Sequence, residues 1–423
     1  MKITIVYQYF QDHSGAGHSS KFELAKYLVE CGHEVSVVSG ESGYMEDFRP
    51  ARAWYQRLLS HEIVSGIEIF RTISHTERNR SYFGRLVGFI TFALTCPFAL
   101  MRGRRPDVIF ASSPPLFAAA SALLVSFLRR APLVLEVCDL WPDSASELGI
   151  VRNSILIAAA RAVERTLYKY SHNIVALTDG IRTHIIKEIR QQDADKVVLV
   201  TTGIDAGMLY PNRSVGEATR SRLGWKGKHV VLYLGAMGEP HNLDVVLRAA
   251  ARLRERADII FVLIGDGYMR SRLELTSKQL ELTNTIFLRP IPKQEANSYL
   301  NAADFGLVTL LDIPLFSGAI PTKMLDYMAC GKPVLCGVRG EAKQIVEQAG
   351  AGIVFEPEDD EELARQITAL SDDQKQRREM GERGTAYVRM NFAAIDKQKV
   401  LEKLLLSAAE RPREMSSGDG TRD

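Results

Sequence analysis

The sequence predicts an α/β protein of two doubly wound units that face each other across a cleft. Three observations lead there. Short apolar runs alternate with helical patterns along nearly the whole chain, the series occurs twice, and a turn-rich stretch separates the two. Runs apolar on both faces belong to parallel sheets covered on both sides. Ligands of such sheets bind at the carboxyl ends of the strands, so the cleft is the natural site.

In the first series the strands are 3–7, 34–38, 107–111, 133–137, 173–177 and 196–200. A short antiparallel excursion, 62–64 and 67–71 around Ser65-Gly66, interrupts them. The second series is 230–234, 259–264, 285–288, 305–310, 334–336 and 352–355. One helix shows the period: Leu243, Val246, Leu247, Ala250 and Leu253 form a stripe, while Arg248, Arg252 and Glu255 lie on a solvated face. The break falls near 207–216, giving a first domain over 1–206 and a second over 217–381. Residues 382–410 form a helical end that returns toward the first domain, and 411–423 read as a disordered tail.

The chain has 423 residues, 46% of them hydrophobic and 25% charged, which suits well-cored globular domains. A net charge of +2 gives no global argument for nucleic acid. Five cysteines, with no paired metal spacing, fit a reduced cytoplasmic setting in which most thiols fill core positions. Residues 1–10 hold no stretch long enough for a signal peptide and read as a first strand. The apolar segment 86–101 is about four residues short of a membrane span. Arginines 78, 80 and 85 precede it and arginines 102, 104 and 105 follow. A second apolar helix, 116–128, ends in Arg129-Arg130. Two readings stay open for this pair: buried helices, or a surface resting on anionic lipid with arginines at headgroup level.

Two strand-to-helix turns are rich in glycine. Gly15 and Gly17 follow the first strand, before a helix over 18–31, and let a backbone approach a ligand closely. Ser20 stands where a dinucleotide fingerprint would need its third glycine. Gly235 and Gly238 occupy the equivalent turn of the second domain, while Gly265 and Gly267 read as a tight turn. Arg289, in Arg-Pro-Ile-Pro, follows another strand and is placed to present backbone groups to a base. In Asp-Leu-Trp-Pro, Asp139 leaves a buried strand and Pro142 starts a helix. Asp139 either caps that helix or contacts an acceptor hydroxyl in the cleft. Trp141 beside it offers a broad face to a sugar or lipid.

The most informative segment is 321–333, Pro-Thr-Lys-Met-Leu-Asp-Tyr-Met-Ala-Cys-Gly-Lys-Pro. Pro321 suits a first helical turn, Gly331 stops the helix, and a buried strand follows Pro333. A helix N-terminus with free N–H groups attracts anions, and Lys323 strengthens the pull on a phosphate. Asp326, three residues on and on the same face, can accept hydrogen bonds from sugar hydroxyls. Together they read as half of a nucleotide-sugar pocket.

Assembled, the chain resembles the family 4 retaining glycosyltransferases, whose GT-B fold is two Rossmann-like domains around a central cleft. Within that family it looks most like the N-acetylfucosaminyl-type transferases of bacterial O-antigen and capsule assembly. Gly-His-Glu-Val at 32–35, Asp-Leu-Trp-Pro at 139–142, Gly-Asp-Gly at 265–267 and the 321–333 segment carry the resemblance. It implies transfer from a nucleotide-sugar donor, UDP-linked, with retention and with neither metal nor cofactor. With the two basic-flanked apolar helices, the expected acceptor is a polyprenyl-diphosphate-linked saccharide at the cytoplasmic membrane face or another saccharide. Asp326 would bind the donor ribose, and Lys323, Thr322 and the turns at Gly15–Gly17 and Gly235–Gly238 the diphosphate, which needs neutralising as it leaves. Asp139 would contact the acceptor.

The chain also departs from the family pattern. Gly318 stands where the first of two acids eight apart would be, Ala236 and His241 stand where arginine and lysine are frequent, and Cys138 where arginine often precedes the aspartate. Those losses keep a non-catalytic scaffold of the same fold in view, and the architecture alone also admits a nucleotide-sugar epimerase.

Overall fold

A computed structural model describes residues 1–12, 15, 20–40, 60–74 and 82–410, without the side chains of residues 82, 83, 85 and 86. The expected turn at Gly17 and the expected tail 411–423 therefore lie outside the described residues, as do residues 41–59 and 75–81.

Two sheets form. The first has strands β1 (Lys2–Val6), β2 (Glu34–Gly40), β3 (Ser60–Val64), β4 (Ile67–Thr72), β5 (Val108–Ser113), β6 (Leu133–Val137), β7 (Asn173–Ala176) and β8 (Val197–Leu199), in the order β3-β4-β2-β1-β5-β6-β7-β8. The second has β9 (His229–Leu234), β10 (Ile259–Ile264), β11 (Thr285–Leu288), β12 (Phe305–Thr309), β13 (Val334–Gly337) and β14 (Gly352–Val354), ordered β11-β10-β9-β12-β13-β14 and parallel throughout. Central strands such as β5, β6, β10 and β12 are buried along their whole length, as two-sided helical cover requires.

The expected excursion is a hairpin whose Ser65 and Gly66 both take positive φ. It does not interrupt the sheet. β4 runs parallel to β2 and extends it, and β3 closes the edge as the antiparallel partner.

The helix Arg213–Leu223, capped by the Asn212 side chain, packs on the helix Lys293–Ala302 of the second unit. A Cβ on its Gly216 would stand 2.4 Å from the Asn301 carbonyl, so glycine sets that close approach. Helix Gln374–Asn391 stays against the second unit, and helix Ala394–Glu410 crosses back, placing Leu401, Leu405 and Ala408 in the core of the first sheet. Where the chain crosses, Ile204 pairs with Ala393.

The apolar segment near residue 90 is a 21-residue helix, Tyr82–Arg102, longer than its apolar run. Among the described residues no helix is long and apolar enough to cross a membrane. Phe92, Cys96, Ala99 and Leu100 pack inward, chiefly against helix Leu116–Arg129. The opposite face is bare: Leu94, Phe98 and Leu128 are 66%, 77% and 63% exposed, with Ile90, Leu124 and Phe127 beside them. Burial and exposure thus divide each helix, so neither open reading covers the whole of it.

Candidate functional site

The carboxyl ends of both sheets open into one cavity of about 1440 Å³. Lys21, Asp139 and Trp141 line it from the first unit; His241, Thr322 and Glu341 line it from the second.

On the second unit, helix Thr322–Ala329 begins after Pro321, and no side chain caps it. Its start is open to an anion. Lys323 turns back under the glycine turn: its Nζ donates to the Tyr233 hydroxyl at 2.7 Å and lies 3.9 Å from that ring's centroid. A Cβ on Gly235 (φ 152°) would sit 3.2 Å from Nζ, so the bare glycine lets the ammonium reach the turn. Burial pulls Lys323 down to about 7, with Asp326 opposing. His241, behind it, is pushed well below its usual value by burial and by Lys323, and so is neutral. Its buried Nδ1 has no hydrogen-bond partner among the described residues.

The turn itself is partly committed, since the amides of Gly235 and Met237 donate to the carbonyls of Ile264 and Asp266. Gly265 and Gly267 press on this turn from behind: a Cβ on either would strike the carbonyl of Gly235 or Met237. They brace the loop, as a tight turn should. Gly238 precedes the short 3-10 turn Glu239–His241.

Asp326 and Lys323 share a helix face but take different partners. Asp326 Oδ1 lies 3.6 Å from Lys293 Nζ, and both side chains are largely shielded. The Lys293 amide in turn donates to the Gly15 carbonyl at 3.1 Å. Gly15 therefore does approach the second unit, through a backbone bond. Arg289 is exposed, and like Gly15, Gly235, Gly238, Lys323 and Asp326 it is not among the residues that line the cavity, whereas Asp139 and Thr322 are.

On the first unit, Asp139 accepts the Ser144 hydroxyl at 3.1 Å, and burial raises its carboxyl above the usual range. The helix Asp143–Glu147 has no side-chain cap, so of the two readings of Asp139 the capping one fails. Trp141 packs edge-on against Phe117 at 5.9 Å. Beside them Glu136 accepts from Lys21 at 2.7 Å, from Ser112 at 2.6 Å and from Cys138 at 3.3 Å. Burial works against the Lys21 ammonium, but Glu136, helped by Cys138 and Glu23, more than offsets it and the group is raised. All five cysteines are free thiols. Among the described residues no three His, Cys, Asp or Glu gather into a group able to hold a metal.

The sequence reading missed Lys293, Tyr233, Glu341 and the Lys21–Glu136 pair. For the last a signal existed: Lys21 falls in the stripe of Leu24, Ala25 and Leu28, and Glu136 interrupts the apolar run of β6. Two opposite charges at buried positions invite pairing.

Comparison with known proteins defines the class. Residues 19–203 match the glycosyl transferase 4-like domain, and residues 216–387 match glycosyl transferases group 1. The chain belongs to this family of GT-B glycosyltransferases. WcaI of Escherichia coli (strain K12), whose name assigns it provisionally to colanic acid biosynthesis, is 27% identical over 400 residues, covering 90% of this chain and 93% of WcaI. Solved structures share the fold at lower identity. Sucrose-phosphate synthase from Thermosynechococcus elongatus superposes with a TM-score of 0.74 at 15% identity, covering 96% and 98% of the two chains. HepE of Anabaena, in complex with UDP-glucose, gives 0.70 at 18% identity, covering 96% and 100%. The chain is a glycosyltransferase of glycan biosynthesis.

Proposed function

We propose that this glycosyltransferase moves a sugar from a UDP-linked donor, with retention and without a resident metal, to a polyprenyl-diphosphate-linked saccharide in O-antigen or capsule assembly. One observation carries the reading. The desolvated Lys323 ammonium sits under the Gly235 turn, next to the uncapped start of helix Thr322–Ala329, with Asp326 one turn deeper. A diphosphate docked there meets a cation, helix amides and a carboxylate suited to ribose hydroxyls. HepE, of the same fold, is known with UDP-glucose bound, which supports a uridine donor. Asp139, its carboxyl raised by burial, faces the cavity from the acceptor side.

Contact with the cytoplasmic membrane face belongs to the same reading. The exposed apolar face of helices Tyr82–Arg102 and Leu116–Arg129 ends in Arg102, Arg104, Arg105, Arg129 and Arg130, while Phe89 and Pro114 reach the cavity. A lipid-borne acceptor gains a path from bilayer to cleft.

Calorimetric titration with UDP, GDP and ADP, with and without magnesium, tests it. Saturable UDP binding that ignores magnesium and collapses in Lys323→Ala is expected. GDP or ADP binding instead would change the donor, and no binding would return the scaffold reading.

A further inference from the structure

At one place the two units meet backbone to backbone. Gly180, in the first turn of helix Asp179–Glu188, meets Gly318, at the end of the 3-10 turn Pro314–Gly318. A Cβ on Gly180 would lie 2.6 Å from Gly318 Cα, and one on Gly318 would lie 3.0 Å from Gly180 Cα. A side chain at either position holds the units apart.

One side chain enters beside this contact. Glu341 opens helix Glu341–Ala349, after β13. Its Oε1 accepts the Gly180 amide at 2.6 Å and its Oε2 the Asp179 amide at 3.2 Å, while the Thr178 hydroxyl accepts the third amide, from Ile181. The same Oε1 lies 3.7 Å from where a Cβ of residue 318 would stand. The loop is steered there by Gly340 (φ 69°), whose Cβ would strike the Ser317 carbonyl. The loops that follow β12 and β13 are thus pressed together, and the second delivers a carboxylate over the bare backbone of the first.

We propose that Glu341 binds the sugar of the donor. The inference rests on the nucleotide-sugar reading above. A diphosphate held at the start of helix Thr322–Ala329 leaves its sugar to the cavity that Asp139, Gly318 and Glu341 line, and Gly318 lies in the loop leading into that helix. Gly318 offers no side chain to a hydroxyl, whereas the Glu341 carboxylate has two acceptor oxygens suited to adjacent hydroxyls. In the structure those oxygens rest on helix amides, and with donor bound they exchange these for hydroxyls of comparable hydrogen-bond strength. Gly318 then marks a carboxylate moved to the neighbouring loop, which lets the units approach through glycine.

The test compares UDP with UDP-glucose and UDP-N-acetylglucosamine on the full chain, wild type, Glu341→Ala and Glu341→Gln, by calorimetry. UDP lacks the transferred sugar, so its Kd should stay within about twofold in all three. The ratio of UDP-sugar to UDP affinity should fall about tenfold in Glu341→Ala for at least one sugar, as loss of a charged hydrogen-bond acceptor implies. Glu341→Gln, keeping one acceptor oxygen, should fall between. A merely structural tie between the units would shift UDP and UDP-sugar together, and an unchanged ratio for both sugars overturns the proposal. Absence of UDP binding by the wild type would instead overturn the donor reading itself.

Discussion

Lys293 Nζ stands 3.6 Å from Asp326 Oδ1, and the Lys293 backbone amide is bonded to the Gly15 carbonyl of the other unit. One residue thus sets the carboxylate on the nucleotide side and ties the first glycine turn to it. If Asp326 accepts ribose hydroxyls, Lys293→Met should weaken UDP binding about tenfold by leaving that carboxylate shielded and unpaired. The affinity gap between UDP and 2′-deoxy-UDP should shrink in Asp326→Ala. Equal gaps in wild type and variant, read by calorimetry, would remove Asp326 from the ribose.

Lys323 gives a pH dependence with a definite sign. Burial lowers it from 10.5 to about 7, so above pH 7 the folded lysine is mainly neutral and must take up a proton to meet a diphosphate. UDP affinity should fall as pH rises above about 7, approaching tenfold per unit, and Lys323→Met should flatten the profile. Titration in buffers of different ionisation heat should register proton uptake above pH 7. Stability runs the other way. The unfolded chain binds the proton more tightly between about 7 and 10.5, so this group's cost is full below 7 and is relieved as pH climbs through that window. A UDP affinity flat from pH 7 to 9 would show that Lys323 does not meet the phosphates.

The strands were legible because a buried parallel strand is written as a continuous apolar run, and β10, Ile-Ile-Phe-Val-Leu-Ile, shows no other period. Lys323 and Asp326 were legible as a pair because three residues along a helix is a fixed geometry. Their partners were not. Tyr233 reaches Lys323 from β9 and Lys293 reaches Asp326 from another helix, and both contacts depend on the strand order β11-β10-β9-β12, which local periodicity does not encode. Asp139 was placed at the right strand end, but its choice of Ser144 over a helix amide follows from the loop's own turn.

The Lys21–Glu136 pair is nearly fully buried and should answer differently to single and double substitution. Glu136→Leu leaves an ammonium without its counter-charge and should cost roughly 3–5 kcal/mol in chemical denaturation. Lys21→Met with Glu136→Leu should recover much of that loss, since an apolar pair of similar volume avoids desolvation. If the double variant is as unstable as the single one, the pair supports the cleft through Ser112 and Cys138 and not through its own charge balance.

The exposed face of helices Tyr82–Arg102 and Leu116–Arg129 combines two forces that can be separated. Arg102 and Arg130 are exposed, and each arginine near an anionic surface contributes about 1 kcal/mol, so Arg102→Gln with Arg130→Gln should weaken binding to phosphatidylglycerol vesicles roughly thirtyfold. That part should also fade with added salt. Leu94→Glu with Phe98→Glu removes the apolar part, and should abolish sedimentation with vesicles even at low salt. Both variants should keep wild-type UDP affinity, because these side chains lie on the outer face, away from Lys323 and Asp326. Vesicle binding unaffected by either pair would mean that the acceptor reaches the cleft by another route, and the arginines would then be explained by local bonds such as that from Arg105 to the Arg129 carbonyl.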